Sequence, residues 1–276
     1  MEIIVYSIMI FIIGICFGSF FNVVGYRLPN DMSIVYPPSH CTNCNHKLGA
    51  LELIPILSYI FQKGRCKHCH EKISLFYPMF ELLTGVLFVL GYLAYKDVYP
   101  EIINIIYSLT FISAMVIIMI SDIKYMIIPD EVNIFFSIVL IIIKLIILYK
   151  TEVITSLLSF GYELLFILMD GMAMFLIMYL IRMIGNALFK KDSMGGGDIK
   201  MMALIGFVLG WRLSIVVVFL ASFLALPVAI INVYRKDEHM LPFGPYLAAS
   251  ALILFLTRVD SVSYTHLRAH ETPEHL

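Results

Sequence analysis

Apolar runs of about twenty residues recur from one end of this sequence to the other, and they decide what it can fold into. The first, "IIVYSIMIFIIGICFGSFFNVV" (3–24), holds no charged residue. About twenty such residues in a helix cross the roughly 30 Å of hydrocarbon in a bilayer. Composition agrees: 61% of residues are apolar, against about 45–50% in soluble domains. Only 14% are charged, and the mean hydropathy is +0.91. Apolar spans fall near 3–25, 77–95, 102–120, 131–149, 158–181, 199–210, 213–234 and 243–257. The stretch 199–234 is too long for one crossing, and "GWR" (210–212) divides it. The expectation is an all-α polytopic membrane protein of about eight transmembrane helices, with lipid as its standing partner.

The first run lacks a basic leader and a small-residue cleavage site, so it reads as a retained span and not a removed signal peptide. Lysine and arginine set the orientation. With the N-terminus outside, thirteen fall on the inner side and five on the outer, Lys144 among the latter, leaving Arg268 in the tail aside. The chain divides into a first span (1–26), a polar insert (27–76), a membrane core (77–257) and a tail (258–276). The bias places the insert in the cytosol. The tail, "SVSYTHLRAHETPEHL" (261–276), has no apolar period and reads as non-native or disordered. A net charge of −1 implies no nucleic-acid partner. No internal repeat is evident.

Four of the five cysteines stand in two C-x2-C pairs, "CTNC" (41–44) and "CKHC" (66–69). Each pair turns two sulfurs toward one ion, and together they complete a tetrahedral thiolate shell. Disulfides are rare in the cytosol, so Cys41, Cys44, Cys66 and Cys69 read as ligands of a structural zinc. A closed shell leaves no place for substrate. His40, His46, His68 and His70 lie near, but four cysteines need no further ligand. Metal would supply much of the folding free energy of an insert this small. Cys16, alone in the first span, reads as a buried inert thiol.

Two aspartates carry the chemistry. Asp122, in "ISDIKYMIIPDEVN" (120–133), closes the third span, and Asp198, in "SMGGGDIKMM" (193–202), opens the sixth. Both fall at one membrane face. Ionisable groups at such depth are costly and are functional candidates. For Asp130 a helix cap is the better reading; for Asp198 capping and catalysis weigh equally. The three glycines before Asp198 permit positive torsions and close approach of another chain. Two carboxylates in close quarters share one proton. Such a pair can take a proton from water, aim that water at a peptide carbonyl and protonate the leaving amine. Outside the tail the histidines lie on the insert or at His239, so no serine–histidine or cysteine–histidine pair competes. Glu81 reads either as a group for an amine or as an interfacial side chain, and Lys124 and Lys200 as inner-face anchors.

Several segments now line up: "GSFFNVVGYRLP" (18–29), the paired cysteines with "LIPILSY" (53–59) between them, "YPMFELLTG" (77–85), "SDIKYMIIPD" (121–130), "GGGDIK" (195–200) and "LPFGPYLA" (241–248). In this order, over about residues 10–256, they resemble the bacterial prepilin peptidases, also called type IV leader peptidases, which are membrane aspartic proteases of the G-x-G-D kind. The resemblance implies that Asp122 and Asp198 are the catalytic pair and that the four cysteines hold the metal. It implies prepilins and pseudopilins as substrates, cut after a glycine on the cytosolic side of the bacterial inner membrane. It also implies N-methylation of the new N-terminus from S-adenosylmethionine. No G-x-G-x-x-G turn marks a donor site; Gly64 suits either a bound cofactor or a plain turn. Two other readings are a peptidase without methyl transfer and an ion-coupled transporter with carboxylates at broken helices near the midplane.

Overall fold

The computed structural model describes residues 1–190, 194–235 and 241–259. His239 and the tail from residue 260 lie outside the described residues. Among those described there are α-helices, short 3-10 turns and isolated bridges, and no strand. The helices are α1 (Glu2–Arg27), α2 (Leu57–Phe61), α3 (Phe76–Tyr95), α4 (Glu101–Tyr125), α5 (Asp130–Lys150), α6 (Leu157–Phe189), α7 (Gly196–Arg235) and α8 (Gly244–Thr257). Six of them are long and apolar enough to cross a membrane, and α8 is a shorter apolar helix.

Helix boundaries follow local chemistry. Pro100 and Pro129 stand at the entries of α4 and α5, where a missing N–H costs nothing. Ser156 caps α6 by accepting the Ser159 N–H. Met126 ends α4 in the left-handed region, its N–H bonded back to Asp122.

The bundle is arranged around α4. Its apolar window is 61% buried, against 11% for α1. Phe111, Ile112, Met115 and Ile118 are wholly buried within it. Around it lie α1, α3, α5 and α8, while α6 packs on α7. Small residues allow the close crossings. A Cβ on Gly14 would meet Gly85 Cα at 2.8 Å, and one on Gly206 would meet Gly171 Cα at 2.9 Å. The outward faces of α1, α6 and α7 carry large exposed apolar side chains, such as Phe166, Phe219 and Phe223. These faces suit lipid. Cys16 belongs to this outer belt: it is exposed, not buried as expected. It stands two residues from Gly14 and Gly18, which face α3, and so points to the opposite side of α1.

The expected division of 199–234 is present. Gly210 has φ 79° and ψ 159°, which breaks α7 in two. A helix that ends within hydrocarbon leaves carbonyls without partners. Here Lys144 Nζ donates to Phe207 O at 2.7 Å and to Val208 O at 3.3 Å. Counted above among outer-side anchors, Lys144 instead serves this break, and Asp170 also lies beside Gly210. Lys144→Met, which keeps the apolar stem, removes those donors. Thermal unfolding in detergent should show the variant less stable by about 1–3 kcal/mol, the cost of leaving buried acceptors unpaired. Unchanged stability would mean that the break needs no support from α5.

Candidate active site and metal centre

Seven chain segments meet at one end of the bundle: the end of α1, the insert, the start of α3, the end of α4 and the starts of α5, α7 and α8. A cleft of about 450 Å³ opens there, lined by Asp122, Asp198 and Gly195–Gly197, with the Met126–Glu131 loop opposite. Leu28, Pro29 and Asp31 form its third side. Asp122 is 6% exposed and Asp198 8%. The two carboxylates, 76 positions apart by their numbers, therefore sit in one recess.

Asp122 is held from an unexpected direction. Gly244, the first residue of α8, donates its N–H to Asp122 Oδ2 at 3.0 Å. A helix leaves its first N–H groups unsatisfied, and a carboxylate there also meets the positive end of the helix dipole. The site demands glycine for space. A Cβ on Gly244 would lie 2.6 Å from Asp122 Oδ2. "LPFGPYLA" is quoted above only as a motif, and no local pattern links Gly244 to a residue 122 positions earlier. Below Asp122, the Ser121 hydroxyl donates to Ile127 O and pins the loop.

Asp198 lies in the first turn of α7, and the Gly195 backbone hydrogen-bonds its carboxyl. The capping role is thus part of the geometry. Of the two uses foreseen for the glycines, one is seen. None of Gly195, Gly196 and Gly197 has a positive φ. Close approach is what they provide: a Cβ on Gly197 would lie 2.8 Å from Ile128 Cβ, in the loop that follows Asp122. Glycine at 197 lets the two aspartate segments touch.

The lysines are engaged elsewhere. Lys200 Nζ bonds both oxygens of Asp130, at 2.7 and 2.6 Å, and ties α7 to α5. Lys124 lies over the Tyr77 ring at 4.0 Å and the Phe76 ring at 4.6 Å. Asp130 opens α5 and is exposed, with Pro129 in the cap position.

The four cysteine sulfurs all lie within 4.8 Å of one another. Cys41 Sγ is 3.8 Å from Cys69 Sγ, and Cys44 Sγ is 4.0 Å from Cys66 Sγ. A tetrahedral zinc with bonds of about 2.3 Å needs sulfur pairs about 3.8 Å apart. The cluster fits zinc. Backbone N–H groups of Cys44 and Asn43 lower the Cys41 thiol below its usual range, whereas at Cys44 the lowering by the His46 N–H is outweighed by desolvation and the three neighbouring thiols, which raise it. The His46 and His68 rings lie against each other, tilted by 34° with centroids 3.4 Å apart, and neither belongs to the sulfur cluster. The pairs also form a short structural repeat. His40 bridges Lys47 and Arg65 bridges Lys72. Asn45 and His70 take the same left-handed conformation. Eight residues with two cysteines in common were too little to reveal this in the sequence.

The insert is fastened to the bundle at two points. Arg27, 5% exposed, donates to Ser33 O at 2.9 Å and Pro37 O at 2.6 Å. Glu81, 8% exposed, accepts the Ile56 N–H at 2.7 Å. Its carboxylate is therefore a fastening between α3 and the "LIPILSY" segment. Gly64, at φ 67°, packs against the Tyr59 ring in a plain turn.

The chain is similar in sequence to known proteins. Residues 12–95 match the family model described as the bacterial peptidase A24 N-terminal domain, and residues 109–230 the one described as the type IV leader peptidase family. A protein of Bacillus subtilis (strain 168) named prepilin leader peptidase/N-methyltransferase is 33% identical, over 93% of this chain and 96% of its own length. Proteins of the same name from Neisseria gonorrhoeae and Aeromonas hydrophila are 32% and 29% identical. These matches cover 91% and 95% of this chain and 90% and 94% of theirs. No solved structure matches the chain. With the aspartates in one cleft, both inside the residues that the second family model matches, and a relative 33% identical over nearly the whole chain, the chain belongs to the type IV leader peptidase family.

Proposed function

We propose that this protein is a membrane aspartic endopeptidase that removes the leader of type IV prepilins or pseudopilins after a glycine, and that it methylates the new N-terminus. The observation that carries the reading is the pair of buried carboxylates, Asp122 and Asp198, lining one cleft at a helix-bundle end. One carboxylate takes a proton from water, the water attacks the peptide carbonyl, and the other gives its proton to the leaving amine. The Gly244 N–H fixes Asp122. Lys200 and Lys124 are engaged by Asp130 and by the Tyr77 and Phe76 rings.

The cleft's position suits such a substrate. A basic leader stays in water, the scissile bond reaches the recess, and the apolar pilin helix remains in lipid. We place the protein in the bacterial inner membrane with the N-terminus outside and both insert and cleft facing the cytosol, as the basic residues suggest. In this reading residues 27–76 form a zinc-held unit. The transporter reading needs its key carboxylates at a helix break; Asp122 and Asp198 stand at helix ends, and the carboxylate beside the Gly210 break is Asp170, outside the cleft.

Three outcomes test these roles. Asp122→Asn and Asp198→Asn, made separately, should each lower cleavage of a prepilin peptide by at least about a hundredfold, a typical share for acid–base groups. Wild-type rates from either variant would end the two-carboxylate mechanism. Gly244→Ala drives a methyl group into Asp122 Oδ2. A displaced reacting group costs about a hundredfold, so cleavage should fall on that scale while helix content by circular dichroism is kept. Purified protein should carry one zinc per chain by elemental analysis. Prolonged chelation should expose residues 27–76 to limited proteolysis while the apolar helices stay protected; an insert that resists protease without metal would show that zinc does not hold it.

A further inference from the structure

A second cavity, of about 410 Å³, lies between the insert and the adjoining ends of α1 and α3. Neither Asp122 nor Asp198 lines it. Its volume falls in the range of small-molecule sites, and its wall holds polar atoms without partners. Asn22 is 4% exposed; its Nδ2 donates to Tyr77 O, and its Oδ1 has no partner among the described residues. Glu52 repeats the pattern. Its Oε2 accepts the Gly49 N–H at 2.8 Å and lies 3.7 Å from His46 Nε2, while Oε1 is buried without a partner. Buried acceptors are almost always satisfied, so these two call for donors from an occupant. Arg27, a cation in the same wall, has its guanidinium occupied by backbone carbonyls. Lys72, Glu71 and Glu81 also line the cavity, with the rings of Tyr26, Tyr59 and Tyr77. Carboxylates and ring faces together attract a cation that carries N–H donors and a flat heterocycle.

We infer that this cavity holds the methyl donor, S-adenosylmethionine, with Glu52 Oε1 and Asn22 Oδ1 accepting from its amino groups. The inference rests on the methyltransferase reading above. Position supports it. Arg27 and Met32 line this cavity, and Leu28, Pro29 and Asp31 line the aspartate cleft. One turn of chain forms the wall between them, so a new N-terminus released in the cleft has a short way to travel. The uncharged amine forms its N–C bond as the donor's C–S bond breaks. The electron pair stays on sulfur as a neutral thioether, and the nitrogen releases one proton to solvent.

The test is equilibrium binding of labelled S-adenosylmethionine to the zinc-loaded full chain in detergent. Glu52→Gln and Asn22→Leu should each weaken binding about tenfold or more, with zinc content unchanged. Because a variant can misfold, ultraviolet crosslinking of the labelled donor to the wild type gives a second readout, and the label should map to the peptides bearing Tyr59 or Tyr77. Donor bound with unchanged affinity by both variants, or label mapping to α5–α7, would overturn the cavity assignment while leaving methyl transfer intact. A wild-type protein that cleaves prepilin but neither binds the donor nor methylates its product would overturn the assignment and the methyltransferase reading together.

Discussion

A backbone N–H or C=O surrounded by hydrocarbon must find its partner within the protein, and this condition shapes every part of the molecule. Unbroken helices meet it by themselves. Wherever a helix stops or breaks, a side chain or another helix end has to take over. Lys144 does so at the break in α7, where it meets the carbonyls of Phe207 and Val208. Asp122 does the converse at α8, accepting an N–H that the first turn cannot use internally. The candidate catalytic carboxylate is thus also a helix-end partner. Its position is fixed by the same need that fixes the fold.

Glycines make this convergence possible by removing volume. Gly244 admits Asp122 to the start of α8, and Gly197 admits the loop after Asp122 to the start of α7. Both act on segments more than sixty positions away in the chain. A methyl group at either point would separate the elements that bring the two acids into one cleft. The triple glycine before Asp198 therefore says more about packing than about backbone freedom.

The span pattern, the division near Gly210 and the cysteine knuckles could be read from the sequence because each depends on neighbours along the chain. Apolar length sets a crossing, a glycine sets a break, and two-residue spacing sets a knuckle. The partners of those features could not be read in this way. Gly244 with Asp122, Lys144 with the α7 carbonyls and Lys200 with Asp130 join elements that local periodicity treats as independent. Lys144 looked like an interfacial anchor, since nothing near it in the chain shows an unpaired carbonyl. Cys16 misled for a related reason. In lipid an apolar side chain is stable facing outward, so hydrophobicity alone no longer predicts burial.

The two cavities differ in what builds them. The aspartate cleft takes its carboxylates from α4 and α7 and its fixing N–H from α8, and these helices pack on one another through buried apolar side chains. The other cavity has a floor of α1 and α3 and a roof drawn from the insert, including Cys41 and Cys66. That roof has little core of its own. On the proposed reading its shape depends on the bound ion and on the fastenings made by Arg27 and Glu81. A helical core carrying hydrolysis and a metal-held roof closing a site for group transfer are then separable in construction, yet the turn after Arg27 faces both. Such an arrangement lets one polypeptide cut a chain end and modify it without surrendering the apolar helix that holds the substrate in the membrane.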